Sequence, residues 1–289
     1  MTAFPGLARI SLTARAADPL AAFYERALGF RRLGEERRSG AQFETLMGVQ
    51  GAARGLLLGL GEQVVELLEF SSPGRPYPRD AAASDLSFQH FAIVAADMDA
   101  AYRRLLTVSG WRPISRGGPV RLPEASGGVT AFKFRDPEGH PLELIAFASG
   151  KAPRSWRVHR RAGPCLGIDH SAISVSDTGR STAFYEKLGF RVSGSSHNHG
   201  AEQARLDDLD TPHVEVTALA AARETPHIEL LCYRGGARGA MAARRNNDVA
   251  ATRLVLEPAE PPSAGAGAAG PRSLADPDGH LLLIDAPPD

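Results

Sequence analysis

Cysteine is nearly absent: Cys165 and Cys232 are the only two in 289 residues, too few for a disulfide framework or a thiolate metal cluster, and a cytoplasmic location is expected. Lysine is scarce as well, with only Lys133, Lys151 and Lys187, although arginine brings the basic residues level with the acidic ones at 33 each. That balance removes the electrostatic footprint of a protein that tracks phosphate backbones or anionic lipid, so neither nucleic acid nor membrane is an expected partner. No apolar run approaches membrane-spanning length, and the opening MTAFPGLARISLTARAADPL is broken by Pro5, Arg9, Arg15 and Asp18 before it reaches the length of a signal-peptide core. Missing too is a glycine-rich loop opening a helix after a strand in nucleotide-binding spacing, and no local Ser-His-Asp or Cys-His set points to nucleophilic hydrolysis.

What the chain does contain is an internal repeat. AAFYERALGF at 21–30 returns as TAFYEKLGF at 182–190, each behind an alternating apolar segment, ARISLTA and HSAISVS, and an offset of 161 residues carries Phe23 onto Phe184. DPEGHPLELIAF at 136–147 returns as DPDGHLLLIDA at 276–286, an Asp-Pro-Gly turn feeding a short apolar strand, at an offset of 140. VVELLEF at 64–70, PLELIAF at 141–147 and HIELLCY at 227–233 share the same ending, so the repeat runs within each half as well.

Helix starts are readable between these strands. Asp97 is a good N-cap where alternation through Val94 gives way to helical spacing, and Asp18 before Pro19 and Asp177 give the same signal in their units. Phe23, Tyr24, Phe184 and Tyr185 then fall on helix faces as core. In the fourth unit ATRLVLE at 251–257 looks like a first strand, but EPAEPPSAGAGAAGP follows where a helix should be, and proline and glycine at that density predict a loop. The pattern is strand, helix, then three strands, four times over. A basic, non-periodic segment, KAPRSWRVHRRAGP at 151–164, divides the chain into expected domains at 1–150 and 165–289, with Trp156 pinning the segment to a domain surface.

Units carrying FYxxxLGF, followed by units that open on a His-led strand and end in DPxGxxxEL, resemble the vicinal oxygen chelate superfamily of glyoxalases, bleomycin-resistance proteins and extradiol dioxygenases. The resemblance implies an α+β fold in which four βαβββ modules pair into two curved, partly open barrels. It also implies ligand positions at the start of each module's first strand and in its last strand, around one cavity per pair. Carried onto this sequence, those positions are Arg9, Glu66, His90 and Glu143 in the first half, and His170, Glu229, Thr252 and Leu283 in the second.

Grouped by halves, the first retains three donors. Glu66, His90 and Glu143 are therefore the expected ligands of a divalent ion (Mn, Fe, Co, Ni or Zn), with Glu143 or Glu66 doubling as a base. Arg9 cannot ligate a metal; it either neutralises the carboxylates or binds an anionic substrate group. His170 and Glu229, left with Thr252 and Leu283, are assigned to substrate contact without a metal. Glu69 points to the face opposite Glu66, His140 and His280 are read as turn residues, His197, His199 and His213 as solvated, and His227 as able to reach the second cavity. The expected partner is a small molecule, and a homodimer is the assembly considered. A metal-dependent isomerase or lyase, a metal-free binding protein of the bleomycin-resistance kind and a ring-cleaving dioxygenase all remain open at this point.

Overall fold

The computed structural model describes residue 4 and residues 6–157, 163–235, 244–257 and 271–284. The first module runs β1 (Gly6–Ala14), α1 (Ala17–Leu28), β2 (Arg31–Arg38), α2 (Ala41–Met47), β3 (Ala53–Leu60) and β4 (Gln63–Phe70). The second runs β5 (Gln89–Ala95), α3 (Met98–Leu106), β6 (Arg112–Pro113), β7 (Val120–Arg121), β8 (Thr130–Arg135) and β9 (Pro141–Ala146). After α4 (Arg154–Arg157), the third runs β10 (Cys165–Ser174), α5 (Thr178–Glu186), β11 (Arg191–His199), α6 (Gly200–Asp207), β12 (His213–Ala220) and β13 (His227–Arg234). The fourth contributes β14 (Thr252–Glu257), β15 (Arg272–Ala275) and β16 (Leu281–Ile284). The proline- and glycine-rich loop expected after β14 lies outside the described residues.

The modules do not pair by halves. One sheet has the order β15-β16-β14-β1-β4-β3-β2 and joins the first module to the fourth; the other has the order β11-β12-β13-β10-β5-β9-β8-β6, with β7 beside β8, and joins the third to the second. The seams are antiparallel, β1 against β14 and β10 against β5. Sequence neighbours tend to be spatial neighbours, and the second and third modules are as close along the chain as the first and second. The grouping expected from the basic segment at 151–164 is corrected here, because a polar linker permits close pairing across it.

One apolar core contains residues of both curved sheets and of α1, α3 and α5, including Leu12, Val65, Ile93, Leu144, Ile173 and Leu230. The opposite face of each sheet, reached by the alternate residues of each strand, carries the polar positions. Repeat motifs clamp the sheets together: Tyr24 donates to Asp136 at 3.0 Å and Tyr185 to Asp276 at 3.3 Å. His140 and His280 do sit in their turns, but they are buried and donate Nε2–H to the Thr13 and Ser174 carbonyls of the other sheet, at 3.0 and 2.8 Å.

Local capping follows the sequence at two of three helices. Asp97 and Asp177 accept from the amides of Ala100 and Arg180, at 2.9 and 2.7 Å. At α1 the cap residue is Ala16; Asp18 lies in the first turn, and Glu138 and Glu69 supply the acceptors from outside the helix. Asp97→Ala is accordingly expected to lower stability by about 1 kcal/mol. Urea denaturation checks this, and an unchanged midpoint would show that α3 does not depend on its cap.

Candidate metal centre

The outer face of the second sheet gathers four donors. His90 on β5 and Glu143 on the adjacent parallel strand β9 meet with Nε2 to Oε2 at 2.9 Å. β10 crosses β5 in antiparallel register and brings in His170, whose Nε2 lies 3.8 Å from the same Glu143 oxygen and 3.5 Å from Glu229 Oε2 on β13. His90, Glu143 and His170 each offer one ligand atom, and these atoms lie within 4.8 Å of one another. All four residues line a cavity of about 790 Å³, whose walls include Val129, Ile145, Val214 and Val216.

The electrostatics are those of a crowded buried site. Burial, reinforced by the Lys133 ammonium, pushes His90 below its ordinary value despite Glu143. Burial works against the charge on His170, yet Glu229, Asp169 and Glu143 together raise it well above the usual imidazole range. Burial would likewise raise Glu143, but His170, His90 and Lys133 hold it well below the carboxylate range. Glu229 is lowered too, His170 and His227 outweighing both its burial and the repulsion from Glu143.

These residues fit a divalent ion. His170 Nε2 is buried and has no hydrogen-bond partner among the described residues, although it faces two carboxylates. An imidazolium between carboxylates at such spacing occupies the place of a cation, and two imidazoles with two carboxylates form a donor set suited to borderline divalent metals.

The equivalent positions of the first sheet hold something else. Strand register matches His170 to Arg9, Glu229 to Glu66, His90 to Arg253 rather than Thr252, and Glu143 to Leu283. Glu66 is fully buried against Arg38 at 2.6 Å and Arg9 at 3.6 Å. Arg253 is pushed down to about 10 by burial and by Arg38 and Arg9, against the pull of Glu66. Phe43 and Met47 of α2 pack with Leu68, Phe70, Val255 and Leu283 over this face. Arg9 and Glu66 therefore do not join His90 and Glu143, as the half-by-half grouping expected; His170 and Glu229 do.

Residues that sequence reasoning missed surround the site. Asp169 lies beside His170, with Oδ2 3.0 Å from Nδ1; His227, which the sequence places within reach of this cavity, approaches Glu229 at 3.6 Å. Lys133 lines the cavity, pairs across strands with Glu143 and binds Asp207 of α6 at 2.7 Å. The lone lysine in TAFKFR was a usable signal, since a charge in the middle of an apolar strand requires a partner. His197, His199 and His213 lie apart from the centre, on β11 and β12, where His199 and His213 stack.

The model of the glyoxalase/bleomycin resistance protein/dioxygenase superfamily matches residues 6–144 and 167–284. Among solved structures, glyoxalase I from Zea mays is similar in fold, with a TM-score of 0.59 at 16% identity, covering 97% of this chain and 92% of that one; a mutant of the same Zea mays protein gives 0.61 at 17%, with the same coverage. A Bacillus subtilis protein proposed to be a dioxygenase gives a TM-score of 0.57 at 14% identity, covering 100% of this chain and 87% of that one. No curated protein sequence matches the chain.

Proposed function

Because the chain belongs to the glyoxalase/bleomycin resistance protein/dioxygenase superfamily, we propose that His90, Glu143, His170 and Glu229 hold one divalent ion, and that the cavity beside them receives a small molecule through two adjacent oxygens. The observation that carries this reading is the convergence of two imidazoles and two carboxylates in one cavity. The equivalent face of the first sheet is instead closed by α2 and occupied by arginines.

A bound ion would supply Lewis acidity, lowering the cost of negative charge on a substrate oxygen. The remaining work falls to the chain. Glu229 has a side chain 22% exposed against 8% for Glu143, and is the carboxylate assigned to take a proton from carbon beside the substrate oxygens. The apolar wall of Val129, Ile145, Val214 and Val216 excludes water from that proton. The second carboxylate sets the site apart from the two-His-one-carboxylate arrangement of oxygen-activating iron and favours isomerisation or elimination over ring cleavage.

Calorimetric titration of metal-stripped, untagged protein with Mn²⁺, Co²⁺, Ni²⁺ and Zn²⁺ tests the reading. One ion per chain is expected for at least one of them, with a gain in stability of about 2.7 kcal/mol when free ion stands at a hundred times Kd. If none of the four binds, the metal reading fails and a metal-free binding trough becomes the better account.

A further inference from the structure

His90 and His170 differ in what stands behind them. His90 Nδ1 is buried with no hydrogen-bond partner among the described residues, whereas His170 Nδ1 faces Asp169 Oδ2 at 3.0 Å. Consecutive strand residues normally point to opposite faces, and these two meet because β10 slips register against β5 between Ile168 and His170. The other oxygen of Asp169 accepts from the Trp156 indole N–H at 2.6 Å, and Asp169 is itself buried, at 6% exposure.

Trp156 belongs to α4, in the segment that joins the chain halves. It packs against Ala92, Val94, Ile145 and Leu166 beside the site. Its ring also approaches Gly167 so closely that a side chain there would meet it at 2.8 Å. Neighbouring residues of the same segment, Pro153, Arg154 and Ser155, line the cavity.

We propose that Trp156 and Asp169 are positioning residues for the metal centre: the linker indole fixes the carboxylate, and the carboxylate fixes the His170 ring with Nδ1–H donated to it and Nε2 turned to the ion. A carboxylate behind a ligating imidazole locks its tautomer and orientation and increases its basicity as a ligand. The chain contains its own comparison. The offset that carries Arg9 onto His170 carries Ala8 onto Asp169, and β1 slips register at the same place, between Leu7 and Arg9. Where the ligand is lost the supporting carboxylate is lost with it, although the bulge stays.

This inference rests on the metal reading and is tested so that the two can fail separately. Co²⁺ and Zn²⁺ affinities of wild type, Asp169→Asn, Asp169→Ala and Trp156→Phe are measured by calorimetry, with the Co²⁺ absorption spectrum as a report on ligand geometry and the melting temperature of each metal-free protein as a fold control. The expected result is a loss of roughly 10- to 100-fold in affinity for Asp169→Ala. Asp169→Asn and Trp156→Phe should show smaller losses and altered Co²⁺ bands, while their metal-free melting stays close to wild type. Wild-type affinity and spectrum in both Asp169 variants would overturn this inference alone. Wild-type protein that binds neither ion would overturn the metal reading and this inference together. A fall in metal-free melting with affinity unchanged would make the pair structural and would also overturn it.

Discussion

Glu143→Gln protein is expected to bind divalent ions at least 100-fold more weakly than wild type, the largest loss of any single substitution at the centre. Both imidazoles approach the Glu143 carboxylate oxygen Oε2, His90 at 2.9 Å and His170 at 3.8 Å. Disturbing a group that only orients a ligand already costs roughly 10- to 100-fold in affinity, so removing the ligand charge itself must cost more. Glutamine is chosen because it keeps the volume, which leaves the surrounding apolar wall in place. The control is Glu66→Gln. Glu66 was the sequence-based candidate for the same role, but it is buried in the other sheet beneath Arg38 and Arg9, and its loss should leave metal stoichiometry and affinity unchanged. Equal binding by wild type and Glu143→Gln would sink the centre, and lost binding in Glu66→Gln would relocate it.

Why the sequence showed each candidate ligand and still grouped them by halves is a matter of which information is local. The FYxxxLGF and DPxGxxxEL motifs mark strand ends through turn chemistry and alternation, which are written within about ten residues, and so His90, Glu143, His170 and Glu229 could all be found from register with the motifs. Which module pairs with which depends on how β5 meets β10 and β1 meets β14, along edges whose contacts no short pattern encodes. The one-residue error at Thr252 has the same origin: no motif anchors the fourth module's first strand, and only its pairing with β1 shows Arg253 in the place of His90. Asp169 was invisible for another reason. Strict alternation puts it on the face away from His170, and a bulge is a feature of two paired strands rather than of one.

The remaining large effect belongs to Lys133. An offset of 160 residues carries the cap Gly40 onto Gly200 and the left-handed C-caps Gly48 and Asp208 onto each other, so α2 and α6 are counterparts. Within them Phe43 becomes Gln203 and Met47 becomes Asp207. The first sheet is sealed by the apolar pair, while in the second sheet Gln203 and Tyr233 donate to Asp207 at 2.6 and 2.9 Å and Lys133 binds its other oxygen at 2.7 Å. The polar pair thus replaces the plug, and Gln203, Lys133 and Tyr233, which bind Asp207, line the cavity. Burial disfavours the charge on Lys133, but Asp207 and Glu143 outweigh it and keep the ammonium protonated. Breaking one side of a buried pair is costly because the other charge is left behind, so Lys133→Ala is expected to destabilise the protein by about 3 kcal/mol, the lower end of the usual range, since Gln203 and Tyr233 still serve Asp207. Replacing both partners with apolar residues of similar size, Lys133→Met with Asp207→Leu, should recover part of that loss, because Asp207 no longer stands as a buried charge without Lys133, while the Gln203 amide and Tyr233 hydroxyl, left without their acceptor, limit the recovery. Urea denaturation of the two variants against wild type decides the matter. A Lys133→Ala protein within about 1 kcal/mol of wild type would mean that the buried ion pair contributes little to stability, and a double variant no more stable than the single one would show that the pair cannot be exchanged for an apolar plug of the kind that closes the first sheet.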